Sequence, residues 1–307
     1  MEDLIILGGG PAGLSAGVYG VRAGLKTLLI EKSAMSGGQV LTTYEVDNYL
    51  GMKGMNGFDM GMKFKEHAEA MGVNFKEAEV TGIEDMGDRK LVHTDQGDLE
   101  TKTLLLASGA SHSKLHVPGE EELAGMGVSY CATCDGAFFK NKVTAVVGGG
   151  DVAVEDAIFL ARFCQKVYLI HRRNELRAAK ILQDELLSLP NVEVLWDQVV
   201  TQIKGEEQVE SAMLRNVKTD VTQELSLQGI FIAVGIEPNT EYVPDQIQQD
   251  EKGYIIAGED CCTNVAGIYA AGDVRTKALR QIVTAVADGA NAVTSVQKYL
   301  LESKATK

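Results

Sequence analysis

The chain has 307 residues, with 29 Lys and Arg against 43 Asp and Glu, a formal net charge of −14 and 45% hydrophobic residues. That length and apolar content suit about two domains with real cores and exclude disorder as the default, while the acidic balance opposes nucleic-acid or anionic-membrane binding unless a local basic patch overcomes it. Glycine reaches 33 residues, above the usual share of about 7%, whereas proline is only 5, so the excess signals tight turns and close backbone approaches, not flexible linkers.

The N-terminus is acidic through Glu2 and Asp3, and its apolar run stops at Gly8, which is not the pattern of a signal peptide. No stretch approaches the 18 or so uninterrupted apolar residues of a spanning helix. The expectation is a soluble, cytoplasmic protein. An odd count of five cysteines argues against a secreted disulfide framework.

A strand over Leu4 to Leu7 runs into Gly8-Gly9-Gly10-Pro11-Ala12-Gly13, then a small-residue helix to about Ala23 and a strand over Thr27 to Ile30 that ends at Glu31. Strand, glycine turn, helix, strand and acid form the order of a dinucleotide-binding unit. Gly8 permits the tight turn, Gly10 lets backbone approach a pyrophosphate, and Gly13 lets helix and strand pack. The helix N-terminus offers unpaired N–H groups, and Glu31 can accept from a ribose hydroxyl.

Glycine turns of this kind also occur for packing alone, so the repetition matters. Thr103 to Ala107 reads as a further strand, and Val117-Pro118-Gly119 breaks the chain. A strand over Val143 to Val147 then enters Gly148-Gly149-Gly150-Asp151-Val152-Ala153, a helix to about Phe163 and a strand over Lys166 to Ile170. Where the first copy ends in an acid, the second continues as His171-Arg172-Arg173-Asn174-Glu175-Leu176-Arg177. An acid suits a free 2′-hydroxyl, whereas an arginine cluster suits a 2′-phosphate, and NADP is therefore expected over a merely solvated basic face.

Later, strands are expected over Gly229 to Val234 and Gly267 to Ala271, the second entering Gly272-Asp273, with a helix over Gln281 to Leu301. These late elements complete a nucleotide domain better than they begin a third. The fold class is therefore α/β, with two Rossmann-like, three-layer dinucleotide-binding domains, the second inserted into the first. The boundaries expected are 1–114 with 245–307 for the discontinuous domain and 115–244 for the inserted one.

Cys131-Ala132-Thr133-Cys134-Asp135 opens the inserted domain. Such a pair serves dithiol–disulfide exchange or half of a zinc site. A structural zinc site needs two further ligands at compatible spacing; Cys261 and Cys262 are adjacent, Cys164 is alone, and His112 and His116 join no further pair, so no metal is expected. Asp135 is either a turn acid or a general acid/base for the protons that dithiol chemistry must move. Cys164, Cys261 and Cys262 are assigned to packing. Phe138 and Phe139 are either core or, if exposed, anchors for a protein partner.

The glycine loops, Gly37-Gly38-Gln39, Cys131 to Gly136, His171-Arg172-Arg173 and Ala271-Gly272-Asp273-Val274 together resemble the low-molecular-weight, bacterial-type NADPH-dependent thioredoxin reductases over essentially the whole chain. The resemblance implies FAD in the discontinuous domain, NADPH in the inserted one, a homodimer, and electron flow from NADPH through flavin and the cysteine pair to thioredoxin or a thioredoxin-like protein. It places Gly8, Gly10, Pro11, Ala12, Gly13 and Glu31 at the ADP half of FAD. Gly38, Gln39 and Asn48 go beside the flavin ring system, with Asp273 at the ribityl chain and Arg280 and Gln281 at a helix start near the ring. Gly149, Gly150, Asp151, Val152, Ala153 and Glu155 form the NADPH loop, with His171, Arg172, Arg173 and Arg177 around the 2′-phosphate. Cys134 faces the flavin, Cys131 attacks thioredoxin and Asp135 supplies protons.

The family also rotates one domain against the other, with hinges expected near Leu115 to Val117 and Pro244 to Asp245. Many relatives carry Asn-Ser in place of Asp151-Val152, an acid and an aromatic in place of Asn174 and Leu176, and a phenylalanine in place of Ala137. Rival expectations are a ferredoxin-dependent flavin thioredoxin reductase, which lacks a working nicotinamide site, a dithiol oxidase, and a redox-inactive nucleotide sensor that needs no cysteine pair.

Overall fold

Leu4, Ile5, Ile6 and Leu7 are apolar at every position because both faces of their strand are covered. Leu4 and Ile6 pack with the helix residues Leu14, Ala16 and Val293, while Ile5 and Leu7 pack with Val243, Ile255 and Val274 on the opposite face. The structure, a computed structural model, describes residues 1–43, 46 and 48–305.

In chain order the elements begin with β1 (Glu2–Leu7), α1 (Pro11–Arg22), β2 (Thr27–Glu31), α2 (Gly57–Ala70), β3 (Asn74–Glu77), β4 (Val80–Asp85), β5 (Lys90–Thr94), β6 (Leu99–Leu106) and β7 (Ala110–His112). There follow β8 (Val128–Ser129), α3 (Ala132–Asp135), β9 (Val143–Gly148), α4 (Asp151–Ala161), β10 (Lys166–His171), α5 (Lys180–Ser188), β11 (Val192–Trp196), β12 (Gln198–Lys204), β13 (Ser211–Asn216), β14 (Thr222–Ser226) and β15 (Gly229–Ala233). The chain ends with β16 (Ile236–Pro238), β17 (Ile268–Ala270) and α6 (Ile282–Ala305).

Two compact units result: residues 1–41, 55–111 and 237–307, and residues 42–54 and 112–236. The chain passes between them within β7 and at β16, three residues before the 114/115 boundary expected from sequence and eight before the 244/245 boundary, because short strands occupy the crossings where breaks in pattern suggested loops. The sequence reading also leaves residues 42–54 in the first unit, whereas they group with the second.

In the first unit the sheet order is β3-β2-β1-β6-β5-β4, with β17 also pairing β6. The strands β3, β2, β1, β6 and β17 run parallel, and the β4–β5–β6 meander is antiparallel. Helices α1 and α6 pack closely on one face. Gly289 sits where any Cβ would stand 2.2 Å from the Ala12 carbonyl oxygen, which fixes glycine at that crossing.

In the second unit a parallel sheet runs β11-β10-β9-β15-β8, and a separate antiparallel sheet runs β12-β13-β14. Val146, Val167, Leu169 and Phe231 face α4, while Ala145, Val147, Ile170, Ile230 and Ile232 face Val200, Ile203, Ala212 and Leu214 of the antiparallel sheet. Helices, parallel sheet and antiparallel sheet are the three layers. No helix among the described residues is long and apolar enough to cross a membrane.

Candidate redox and dinucleotide sites

In the first unit the glycine loop separates into three physical roles. Gly8 has φ +111° and an added Cβ would stand 2.4 Å from the Ala107 oxygen; at Gly13 an added Cβ would stand 1.9 Å from the Gly8 oxygen. Both are fixed by packing. Gly10 differs, since a Cβ there would meet only Gly38 Cα at 4.0 Å. Gly10 is also the N-cap of α1, makes no side-chain cap, and precedes Pro11, so the helix start carries free N–H groups. Glu31 closes the loop, accepting the Gly9 N–H at 2.7 Å and the Ser33 N–H at 3.1 Å.

Asp273 lies one residue beyond Gly272, whose φ is +77° and whose missing Cβ makes room for Ala12. Its Oδ1 is buried without a hydrogen-bond partner among the described residues, and burial pushes its carboxyl up while Lys277 and Arg280 pull it down. Arg280 stacks on the Tyr254 ring at 4.0 Å and leaves its Nε buried and unsatisfied. Orphaned polar atoms of this kind ask for a bound partner. An open glycine cradle, the Glu31 carboxylate beside it, and the unsatisfied Asp273 Oδ1 and Arg280 Nε together fit an adenine dinucleotide carrying a flavin. Gln39 donates to the Ala110 oxygen, and the Gln281 N–H donates to Thr284 Oγ1, capping α6. Asn48 falls in the segment 42–54 that groups with the second unit.

The second loop follows the same division. An added Cβ at Gly148 would stand 2.5 Å from both Ala153 Cβ and the Ala233 oxygen, and one at Gly149 would clash with the His171 ring at 2.2 Å. Gly150, like Gly10, is open, with nothing within 4 Å, and caps α4 with no side chain. His171 is therefore a packing support beneath the loop, its Nε2 bonded to the Glu175 oxygen at 2.9 Å and its ring pushed towards the neutral form by burial. Val152 and Glu155 are exposed and Ala153 is buried. Asp151 is not a bare charge at the loop: it accepts the Ala179 N–H at 2.7 Å and so ties the end of the arginine segment to α4.

Arg172, Arg173 and Arg177 are exposed and make no ion pair with any described residue. They surround a cavity of about 320 Å³. Leu176, in contrast, is buried in the core at 8% exposure. Three uncommitted guanidinium groups beside an open glycine turn fit a dinucleotide bearing an extra phosphate.

Cys131 and Cys134 are joined in a disulfide across the short helix α3. Sequence reasoning missed Ser129. Its hydroxyl donates to Asp135 Oδ2 at 2.6 Å and accepts the Cys131 N–H at 3.1 Å, so one buried side chain holds the acid and the first cysteine together. Burial raises the Asp135 carboxyl above its ordinary range, opposed by the Ser129 hydrogen bond, and Asp135 Oδ1 has no partner among the described residues. Phe139 is buried against Phe231, while Phe138 is half-buried and Ala137 exposed. Cys164 and Cys261 are buried as expected, but Cys262 is exposed. The packing assignment fails for Cys262, whose side chain is exposed, while its neighbour Cys261, at a left-handed φ of +60°, is buried. No group of three or more His, Cys, Asp or Glu among the described residues is arranged to hold a metal ion.

The model of the pyridine nucleotide-disulphide oxidoreductase family matches residues 2–289. The chain belongs to that family. Thioredoxin reductase from Peptoclostridium acidaminophilum is 42% identical over 305 residues, covering 97% of this chain and 96% of that one. Its counterpart from Listeria monocytogenes is 43% identical over 303 residues, covering 98% and 95%. The crystal structure of thioredoxin reductase from Streptococcus pyogenes MGAS5005 superposes with a TM-score of 0.93 at 44% identity, covering 98% and 99% of the two chains. As a pyridine nucleotide-disulphide oxidoreductase, the chain is an oxidoreductase of the thioredoxin reductase type.

Proposed function

We propose that the chain reduces the disulfide of thioredoxin or a thioredoxin-like protein, using FAD held by the first unit and NADPH held by the second. The observation that carries this reading is the Cys131–Cys134 disulfide with Asp135 held beside it by Ser129. FAD is supported by the open Gly10 cradle, Glu31 and the orphaned atoms of Asp273 and Arg280. NADPH, in preference to NADH, is supported by the three unpaired arginines around the cavity beyond Gly150. These same arginines are what a ferredoxin-dependent reductase would not need.

When bound, nicotinamide and flavin supply the two electrons that open the Cys131–Cys134 disulfide to a dithiol. Cys131 then attacks the partner's disulfide, one partner sulfur leaves as a thiolate, and Cys134 displaces the second, restoring the intramolecular bond and releasing the partner as a dithiol. Two protons accompany the two electrons. Asp135, its carboxyl pushed up by burial and oriented by Ser129, is the group that exchanges them with the sulfurs. The free thiols of Cys164, Cys261 and Cys262 suit a reducing compartment, and we assign the protein to the cytoplasm as a homodimer.

The test is anaerobic reduction of the cognate thioredoxin with NADPH, NADH or reduced ferredoxin as donor. Turnover with NADPH, and little with the other two, is expected; reduction by ferredoxin alone would sink the assignment.

A further inference from the structure

The cavity lined by the arginines contains a fourth cation and a carboxylate that no motif announces. Lys218, at the tip of the β13–β14 hairpin, extends its Nζ to Asp197 Oδ2 at 2.9 Å. Both residues line the cavity together with Arg172, Arg173 and Arg177. The lysine side chain is 60% exposed and the aspartate side chain 16%.

The backbone holds this pair in place. Asp197 has φ +57°, a left-handed conformation uncommon outside glycine, asparagine and aspartate. Its N–H donates to the Arg173 oxygen at 3.3 Å, and its own carbonyl accepts the Val217 N–H at 2.8 Å. One residue thus bonds both to the arginine segment and to the hairpin. The hairpin tip is fixed in turn, with Asn216 Oδ1 accepting the N–H groups of Lys218 and Thr219 at 3.0 Å each.

An acid fixed among phosphate-binding arginines opposes the anion they attract. Among the described residues, Lys218 is the only one of the four cations that is already paired, and its partner is that acid. Resting on the NADPH reading, we infer that Lys218 determines preference for the 2′-phosphate by cancelling Asp197, so that the three arginines are opposed by one carboxylate of the lining, Glu175, and not by two. Lys218 need not touch the phosphate itself. The role is electrostatic, and its signature is that the harm done by losing Lys218 disappears when Asp197 is neutralised as well.

Calorimetric titration of the whole enzyme with 2′,5′-ADP and with 5′-AMP isolates the extra phosphate. The unaltered chain is expected to favour 2′,5′-ADP. Lys218→Gln should weaken 2′,5′-ADP about fivefold, the scale of one exposed charge pair, and leave 5′-AMP unchanged. Lys218→Gln with Asp197→Asn should return 2′,5′-ADP to within about twofold of the unaltered chain, asparagine being at home at the same φ. An unchanged 2′,5′-ADP affinity in Lys218→Gln, an equal loss for both nucleotides, or no recovery in the double variant would each overturn the inference while leaving the NADPH reading intact. Equal binding of the two probes by the unaltered chain would overturn that reading, and the inference with it.

Discussion

Ser129 and Asp135 are joined by a 2.6 Å hydrogen bond, and the same serine hydroxyl receives the Cys131 N–H. The acid is thereby fixed by the strand β8 that precedes the cysteine pair, not by the helix turn on which it sits. Its second oxygen is buried and unpaired among the described residues, which leaves one face of the carboxyl free for a proton.

Removing that bond gives a pH signature with a definite sign. Burial favours the protonated acid and raises Asp135, while Ser129 favours the carboxylate and lowers it. Ser129→Ala removes only the lowering influence, so the limb of the pH–rate profile that reports Asp135 moves to higher pH. Turnover with thioredoxin should fall about tenfold, the worth of one hydrogen bond to a charged group. Asp135→Asn should cost about 100-fold and abolish that limb, with flavin absorbance retained. An unmoved limb in Ser129→Ala would falsify the coupling.

The glycines of the two loops should separate in a paired experiment. Gly13→Ala places a methyl 1.9 Å from the Gly8 oxygen and forces the turn and helix apart. It should lower stability by about 1–3 kcal/mol or more in a thermal melt, with flavin lost as a consequence. Gly150→Ala meets no atom within 4 Å. It should melt where the unaltered protein does and yet bind NADPH more weakly, because the methyl occupies the space a pyrophosphate needs.

Both loops and the cysteine pair are legible in sequence because each is a local string whose task resides in its own backbone. Gly8, Gly13 and Gly148 are required by close contacts within a strand–turn–helix pattern, and spacing alone exposes them. Ser129, Tyr254, Lys218 and Asp288 carry no such mark. Asp197 meets Lys218 only because β12 and β13 pair antiparallel, and Arg280 meets Tyr254 only through the tertiary fold. The sheet β12-β13-β14 is likewise hard to foresee, since its outer strand β14 is largely exposed and alternates only weakly. Asp151, which stands where many relatives carry asparagine, has a local use that only the Ala179 contact reveals.

The thiols offer a count that checks the cysteine assignments. Cys261 is buried, donates to the Asp288 oxygen at 3.4 Å, and has its thiol pushed up to about 12 by burial and the neighbouring acid Asp288. Cys164 is buried as well, and only Cys262 is exposed. A maleimide reagent acting on the native oxidised enzyme should therefore modify Cys262 alone. After reduction by NADPH, Cys131 and Cys134 should join it, and peptide mapping identifies which sulfurs reacted.

Asp288 accounts for a stability dependence that the redox chemistry does not. It accepts the Gly272 N–H at 2.9 Å, Arg275 Nε at 2.9 Å and Nη2 at 2.6 Å, and Lys277 Nζ at 2.8 Å, all within the core beneath Asp273. Burial alone would raise its carboxyl, but the hydrogen bonds from Arg275 and Lys277 outweigh burial and hold it below the ordinary range. A carboxylate depressed in the folded state stabilises above its unfolded value of about 3.9 and loses that contribution as pH falls through the folded value. Asp288→Asn strands two buried cations and should cost about 3–5 kcal/mol at pH 7. Denaturant titrations across the acid range should then show the difference between variant and unaltered protein shrinking below about pH 4, because the unaltered protein is losing there what the variant never had. A difference that stays constant through that range would remove Asp288 as its source.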